Sequence, residues 1–175
     1  MFTLVIGGAA SGKSAYAEKL ILKCGEKRRT YIATMEPFDA ECRLRIEKHR
    51  QMRAEKAFET VECYTNLSSV KLLEKGAVLL ECMSNLAANE RYSPKGAGED
   101  AYSAILEGVE ALLRQCDDLV VVSNDVFGGG SNYEGDTLAY MKLLANINRA
   151  LSVRADAVCE VVCGVPYYYK GGENG

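Results

Sequence analysis

The sequence predicts an open α/β domain, a mostly parallel sheet with helices on both faces. Three observations lead there. Short apolar runs alternate with longer amphipathic stretches along the whole chain. The runs are apolar at successive positions rather than at every second one, the signature of strands buried on both sides. Hydrophobic residues make up 48% of the 175 residues and charged residues 26%, the balance of an ordinary globular chain with one core.

The first run, FTLVIG (2–7), reads as a strand, and residues 13–24 follow it as a helix. TYIAT (30–34) gives a second strand and 39–56 a second helix. AVLLEC (77–82) is a third strand, and the turn-rich RYSPKGAGED (91–100) reads as a surface loop. A helix over 101–115 precedes the strand DLVVVSN (118–124), and one over 136–153 precedes AVCEVVCG (157–164). Strand–helix alternation of this kind favours parallel neighbours joined by crossovers. SNDVFGGGSN (123–132) reads as a substrate-facing loop or as a connector. YYYK (167–170) is read as an aromatic cluster docking onto its own domain, ahead of a stacking platform for a ligand. One domain over 1–170 is expected, with a frayed tail at 171–175.

Composition removes several function classes. A net charge of −3, with no aromatics interleaved among the basic residues 43–53, argues against nucleic acid as a partner. No apolar run approaches the roughly 20 residues that span a bilayer. The first motif begins too early for a cleaved signal, so a cytoplasmic protein is expected. The seven cysteines (24, 42, 63, 82, 116, 159 and 163) are odd in number, scattered and without a CxxC pair. They read as small core residues in a reducing compartment, not as a disulfide frame or a zinc site.

The strongest chemical signal is GGAASGKS (7–14), which satisfies G-x-x-x-x-G-K-S directly after a strand and at the opening of a helix. In that context the backbone of Gly7, Gly8, Ala9, Ala10, Ser11 and Gly12 wraps phosphate. Lys13 reaches the β and γ oxygens, and Ser14 ligates Mg²⁺. The fold expected is therefore P-loop NTPase-like, binding ATP or GTP with Mg²⁺. Such a site needs an acid near the metal at the end of another strand; Glu81 is the first choice and Asp125 the runner-up.

The single histidine lies in RIEKHRQMR (45–53). On a helix Arg45, His49 and Arg53 stand at i−4, i and i+4 and share one face. One reading is a basic, solvent-facing helix on which the histidine has no task. The other is that neighbouring cations keep the imidazole neutral and nucleophilic, suited to attack on phosphorus and a covalent nucleotidyl–histidine.

These residues carry a family resemblance. GGAASGKS, YIATM (31–35), then Asp39, Glu41, Arg45, Ile46, His49 and Arg53, then TVE (60–62), resemble the bifunctional adenosylcobinamide kinase / adenosylcobinamide-phosphate guanylyltransferase family. The likeness continues in LLEC (79–82) with Asn85, in VVSNDV (121–126) and in the stretch 148–166, so it spans nearly the whole chain. It implies phosphorylation of adenosylcobinamide by a nucleoside triphosphate, then transfer of GMP from GTP through a histidine that matches His49. It adds Thr34, Arg45, Arg53 and Glu62 to the nucleotide contacts of residues 7–14 and Glu81, and it implies a homo-oligomer, typically a trimer. The chain departs from the family pattern at Ala10, where an arginine is usual. It departs again at Asp125 for a glutamate, in FGGGSNYEG (127–135), and in lacking a basic pair in GDTLAYMKLL (135–144). Two alternatives stay open: another small P-loop kinase or NTPase, and a non-catalytic GTP-binding relative.

Overall fold

A computed structural model describes residues 1–37, 47, 56–126 and 133–172. Its elements are β1 (Phe2–Gly7), α1 (Lys13–Lys23), β2 (Arg29–Ala33), β3 (Phe58–Glu62) and β4 (Ala77–Glu81), followed by α2 (Met83–Tyr92) and α3 (Ala101–Gln115). The chain continues through β5 (Asp118–Asn124), α4 (Gly135–Arg154), β6 (Ala157–Val162) and β7 (Val165–Lys170).

The strands form one seven-stranded sheet in the order β3-β2-β4-β5-β1-β6-β7. Every pairing is parallel except that of β6 with β7. Successive residues of one strand feed opposite cores. Leu4, Ile32, Leu80 and Val121 join one cluster with Leu86 of α2, Ile105 and Leu112 of α3 and Leu144 and Leu151 of α4. Val5, Tyr31, Leu79 and Val122 join the other with Ala17 and Ile21 of α1. Such double burial is why the strands read as unbroken apolar runs. Helices thus cover both faces, as expected.

From β1 the chain moves through α1 toward β2 on one side; from β5 it moves through α4 over β1 to β6 on the other. The point where the direction of winding reverses, beyond the carboxyl ends of the strands, is where open α/β sheets bind ligands. The loop 8–12 sits there.

Four parts of the chain differ from the sequence-based expectation. β3 carries little sign of a strand in its sequence: FETVE has two acids in five residues, only Phe58 is buried, and it pairs with β2 alone. Such an edge strand has little apolar signature. α2 went unread because its buried face includes Ser84, Asn89 and Glu90 beside Met83, Leu86 and Ala87, which blurs the helical period. The expected loop 91–100 is shorter, since Arg91 and Tyr92 end α2 and Gly98–Asp100 form a 3-10 turn leading into α3. Val165–Lys170 is a strand, with the last expected parallel strand ending at Val162 and a turn at Cys163–Gly164. The helix expected over 39–56 lies almost wholly outside the described residues, where Glu47 alone is described as helical and exposed. Among the described residues no helix is long and apolar enough to cross a membrane.

Candidate nucleotide site

β1 ends at Gly7, the chain loops through residues 8–12, and α1 opens at Lys13 without a side-chain cap. Glycine is required at Gly7, because a Cβ there would stand 2.5 Å from Ser11 Oγ and 2.7 Å from Val161 O. Gly12 has φ +90°, left-handed backbone that glycine adopts without penalty. Ala10 holds φ 55° with a side chain, a strain of about 1–2 kcal/mol kept where phosphate-binding loops need it. Lys13 is 9% exposed, and its Nζ donates to Gly8 O at 2.9 Å, so the ammonium is held against the loop's own backbone. Ser11 Oγ is buried in this loop without a hydrogen-bond partner.

Ser14 Oγ donates to Glu81 Oε1. The motif serine and the carboxylate expected from the end of β4 therefore meet. A hydroxyl and a carboxylate are hard oxygen donors that suit a divalent cation, whose shell would be completed by phosphate oxygens and water. Asp125 is exposed and reaches the loop through its backbone, its N–H donating to Gly7 O at 3.1 Å.

Glu62 and Glu81 lie in register with Ala33 from opposite sides, so both carboxylates project to the α1 face at the carboxyl edge of the sheet. Their backbones are two strand spacings apart, about 10 Å. Glu62 is exposed and accepts from Tyr64 Oη at 2.9 Å.

Thr34 differs from expectation. It has no exposed surface to offer a nucleotide. Its Oγ1 donates to Cys82 O at 2.8 Å and accepts from Cys82 N–H at 2.7 Å. Its N–H donates to Glu81 O at 3.1 Å, and its carbonyl accepts from Asn89 Nδ2 at 2.9 Å. Thr34 thus braces the backbone that carries Glu81. His49, Arg45 and Arg53 lie outside the described residues.

The family model described as cobinamide kinase / cobinamide phosphate guanyltransferase matches residues 3–168. The chain belongs to that family. Its relatives include the bifunctional adenosylcobalamin biosynthesis protein CobU of Escherichia coli (strain K12), 33% identical over 180 residues, covering 94% of this chain and 97% of the relative. The protein of the same name from Salmonella typhimurium is 32% identical, with 94% and 97% covered. The bifunctional adenosylcobalamin biosynthesis protein CobP of Pseudomonas aeruginosa is 29% identical, with 98% of each chain covered. Among solved structures, the flagellar accessory protein FlaH from Methanocaldococcus jannaschii matches with a TM-score of 0.51 at 11% identity, covering 98% of this chain and 78% of that one. A KaiC-like protein from Pyrococcus horikoshii OT3 matches with a TM-score of 0.51 at 16% identity, covering 91% and 71%. At such identities these two show the fold alone.

In this cobinamide kinase / guanyltransferase chain the sequence left one side of the loop unread. The β6–β7 turn touches it, Gly164 N–H donating to Ser11 O at 2.7 Å. The Tyr16 and Tyr168 hydroxyls lie 2.6 Å apart, joining α1 to β7. Spacing gives no hint of either contact. The thiols of Cys63, Cys116 and Cys159 are buried, and burial is the main force pushing each from an ordinary 9.0 up to about 11, as core cysteines behave. Cys163 departs from that expectation and is exposed.

Proposed function

We propose that this chain carries out both reactions named by its family, with the Gly7–Ser14 loop as the one triphosphate cradle for each. The observation that carries the reading is the meeting of Ser14 Oγ with Glu81 beside Lys13, in a chain whose family match runs nearly end to end. In the first reaction the aminopropanol hydroxyl of adenosylcobinamide attacks the γ-phosphorus of ATP or GTP. The bond to the β-phosphate oxygen breaks and a nucleoside diphosphate leaves. In the second, an imidazole nitrogen of His49 attacks the α-phosphorus of GTP, forming a P–N bond and releasing pyrophosphate. The phosphate oxygen of adenosylcobinamide phosphate then displaces the imidazole, giving adenosylcobinamide-GDP.

Lys13 and the loop N–H groups neutralise charge on the transferred phosphate whichever phosphorus is attacked, and the choice rests on which nucleophile stands in line. Arg45 and Arg53, flanking His49 at helical spacing, keep the imidazole unprotonated and stabilise charge on the α-phosphate. Ser14 and Glu81 would hold Mg²⁺, which would supply neutralisation of the charge on the triphosphate. The protein works in the cytoplasm as a homo-oligomer, a trimer by likeness to its family.

Intact-protein mass after incubation with GTP and Mg²⁺, beside His49→Ala, tests this. An acid-labile GMP adduct on the wild type that is absent from the variant is the expected result. A chain that binds GTP, phosphorylates adenosylcobinamide and never gains the adduct would leave the kinase half alone standing. GTP binding with neither product would identify a silent relative.

A further inference from the structure

We infer that the β6–β7 hairpin positions the phosphate cradle, with Gly164 as the positioning residue and Tyr168 as its second anchor; this rests on the reading of the loop as a triphosphate site. The hairpin meets the loop and the helix it opens at three successive points. At the start, Gly7 lies so close to Val161 O that a Cβ would fall 2.7 Å from it. In the middle, Ser11 C=O accepts from Gly164 N–H at 2.7 Å, and a Cβ on Gly12 would stand 3.1 Å from Gly164 Cα. In the first turn of α1, the Tyr16 hydroxyl meets that of Tyr168 at 2.6 Å.

The middle contact has a chemical consequence. In a planar trans peptide the carbonyl and the following N–H point in opposite directions. Fixing the Ser11 carbonyl on Gly164 therefore turns the Gly12 N–H away from the hairpin, toward the hollow of the loop. A donor that would otherwise rotate freely is preset for an anion, and the cost of ordering it is met before a ligand arrives. Gly164 can do this because its φ is +82°, which glycine adopts without strain. Nothing lies within 4 Å of where its Cβ would be, so an alanine there perturbs the backbone and not the packing. Tyr168 is half-buried; burial first, and its bond with Tyr16 second, push its phenol up, so Tyr168 keeps its proton across the physiological range.

The test is calorimetric titration of Gly164→Ala and Tyr168→Phe with GTP, GDP and GMP in the presence of Mg²⁺, reading affinity and stoichiometry separately. The expected result is an affinity for GTP weakened about tenfold in Gly164→Ala at unchanged stoichiometry, with a smaller loss for GMP than for GTP. Tyr168→Phe, which removes one oxygen and keeps the ring, weakens GTP in the same sense by a few-fold. Wild-type affinity in both variants would overturn the positioning role while leaving the triphosphate site intact. A fall in the number of binding-competent molecules with affinity unchanged would also overturn it, since that is loss of fold. Wild-type protein that binds no GTP would overturn the underlying reading, and the inference with it.

Discussion

Replacing Thr34 with valine keeps the shape of a fully buried side chain and removes one oxygen. That oxygen bonds both backbone groups of Cys82, at 2.7 Å from the N and 2.8 Å from the O. The Cys82 carbonyl keeps a second partner, the Leu86 N–H at 3.2 Å, so the loss falls mainly on the Cys82 N–H. A buried donor left without a partner costs about 1–3 kcal/mol, and the second bond adds about 0.5–1.5 kcal/mol. The sum, about 1.5–4.5 kcal/mol, corresponds to a melting temperature lower by about 3–18 °C for a chain of this size. Thr34→Ser keeps the oxygen and loses one methyl, so its cost is about 1 kcal/mol. Thermal and urea unfolding followed by circular dichroism would measure both, with m unchanged. The serine variant should hold Mg²⁺-dependent GTP affinity and the valine variant should lose part of it, because Glu81 rides on the same backbone. A valine variant that melts within about a degree of the wild type would refute the assignment of Thr34 as the brace.

Three further outcomes follow from the geometry. Gly7→Ala forces either Ser11 or the Val161 carbonyl to move, so GTP affinity should fall at least about tenfold while stability drops by about 1–3 kcal/mol; a titration indistinguishable from wild type would count against the close approach. Among the described cysteines, Cys163 should react with a maleimide in the native protein, while Cys63, Cys116 and Cys159 should react only after unfolding, as peptide mapping can show. The same three buried thiols set an alkaline limit. Their folded values, about 11, exceed the ordinary 9.0, so their contribution is complete below pH 9 and declines as pH rises toward 11. The urea midpoint should decline across that window, and a flat profile would contradict it.

Much of the architecture was legible because double burial writes itself into sequence. The runs around Leu4, Leu80 and Val121 have an apolar residue facing each layer, and no other element requires that. The loop was legible for a different reason: wrapping phosphate demands glycine and lysine at fixed spacing. Glu81 could be chosen because strand ends at one edge of a parallel sheet converge on the loop. Thr34, expected among the nucleotide contacts, spends its hydroxyl on the backbone of Cys82, since sequence marks which residues are near a site but not which way a hydroxyl points. α2 was invisible because Asn89 and Glu90 face inward to bond backbone, Glu90 accepting from Asn66 N and Ala97 N at 2.6 and 2.9 Å. Inward polar groups satisfied by distant main chain erase the periodicity on which a helix is recognised. The Tyr16–Tyr168 clasp joins residues 152 positions apart, and nothing local announces it.

The place of β1 in the sheet has a consequence for how the protein comes into being. This first strand is interior: Phe2 is in register with Leu119 of β5, and Thr3 with both Val120 of β5 and Ala157 of β6. During synthesis it must therefore wait for residues 118–124 before its first neighbour exists and for residues 157–162 before its second does. β2 and β4 can pair earlier, and the gap that β1 fills closes late. Contacts of such long sequence separation slow folding. A ribosome-bound fragment lacking β6 would carry the GKS residues with one flank of their strand unpaired, so competence to grip a nucleotide should arrive only with completion of the chain.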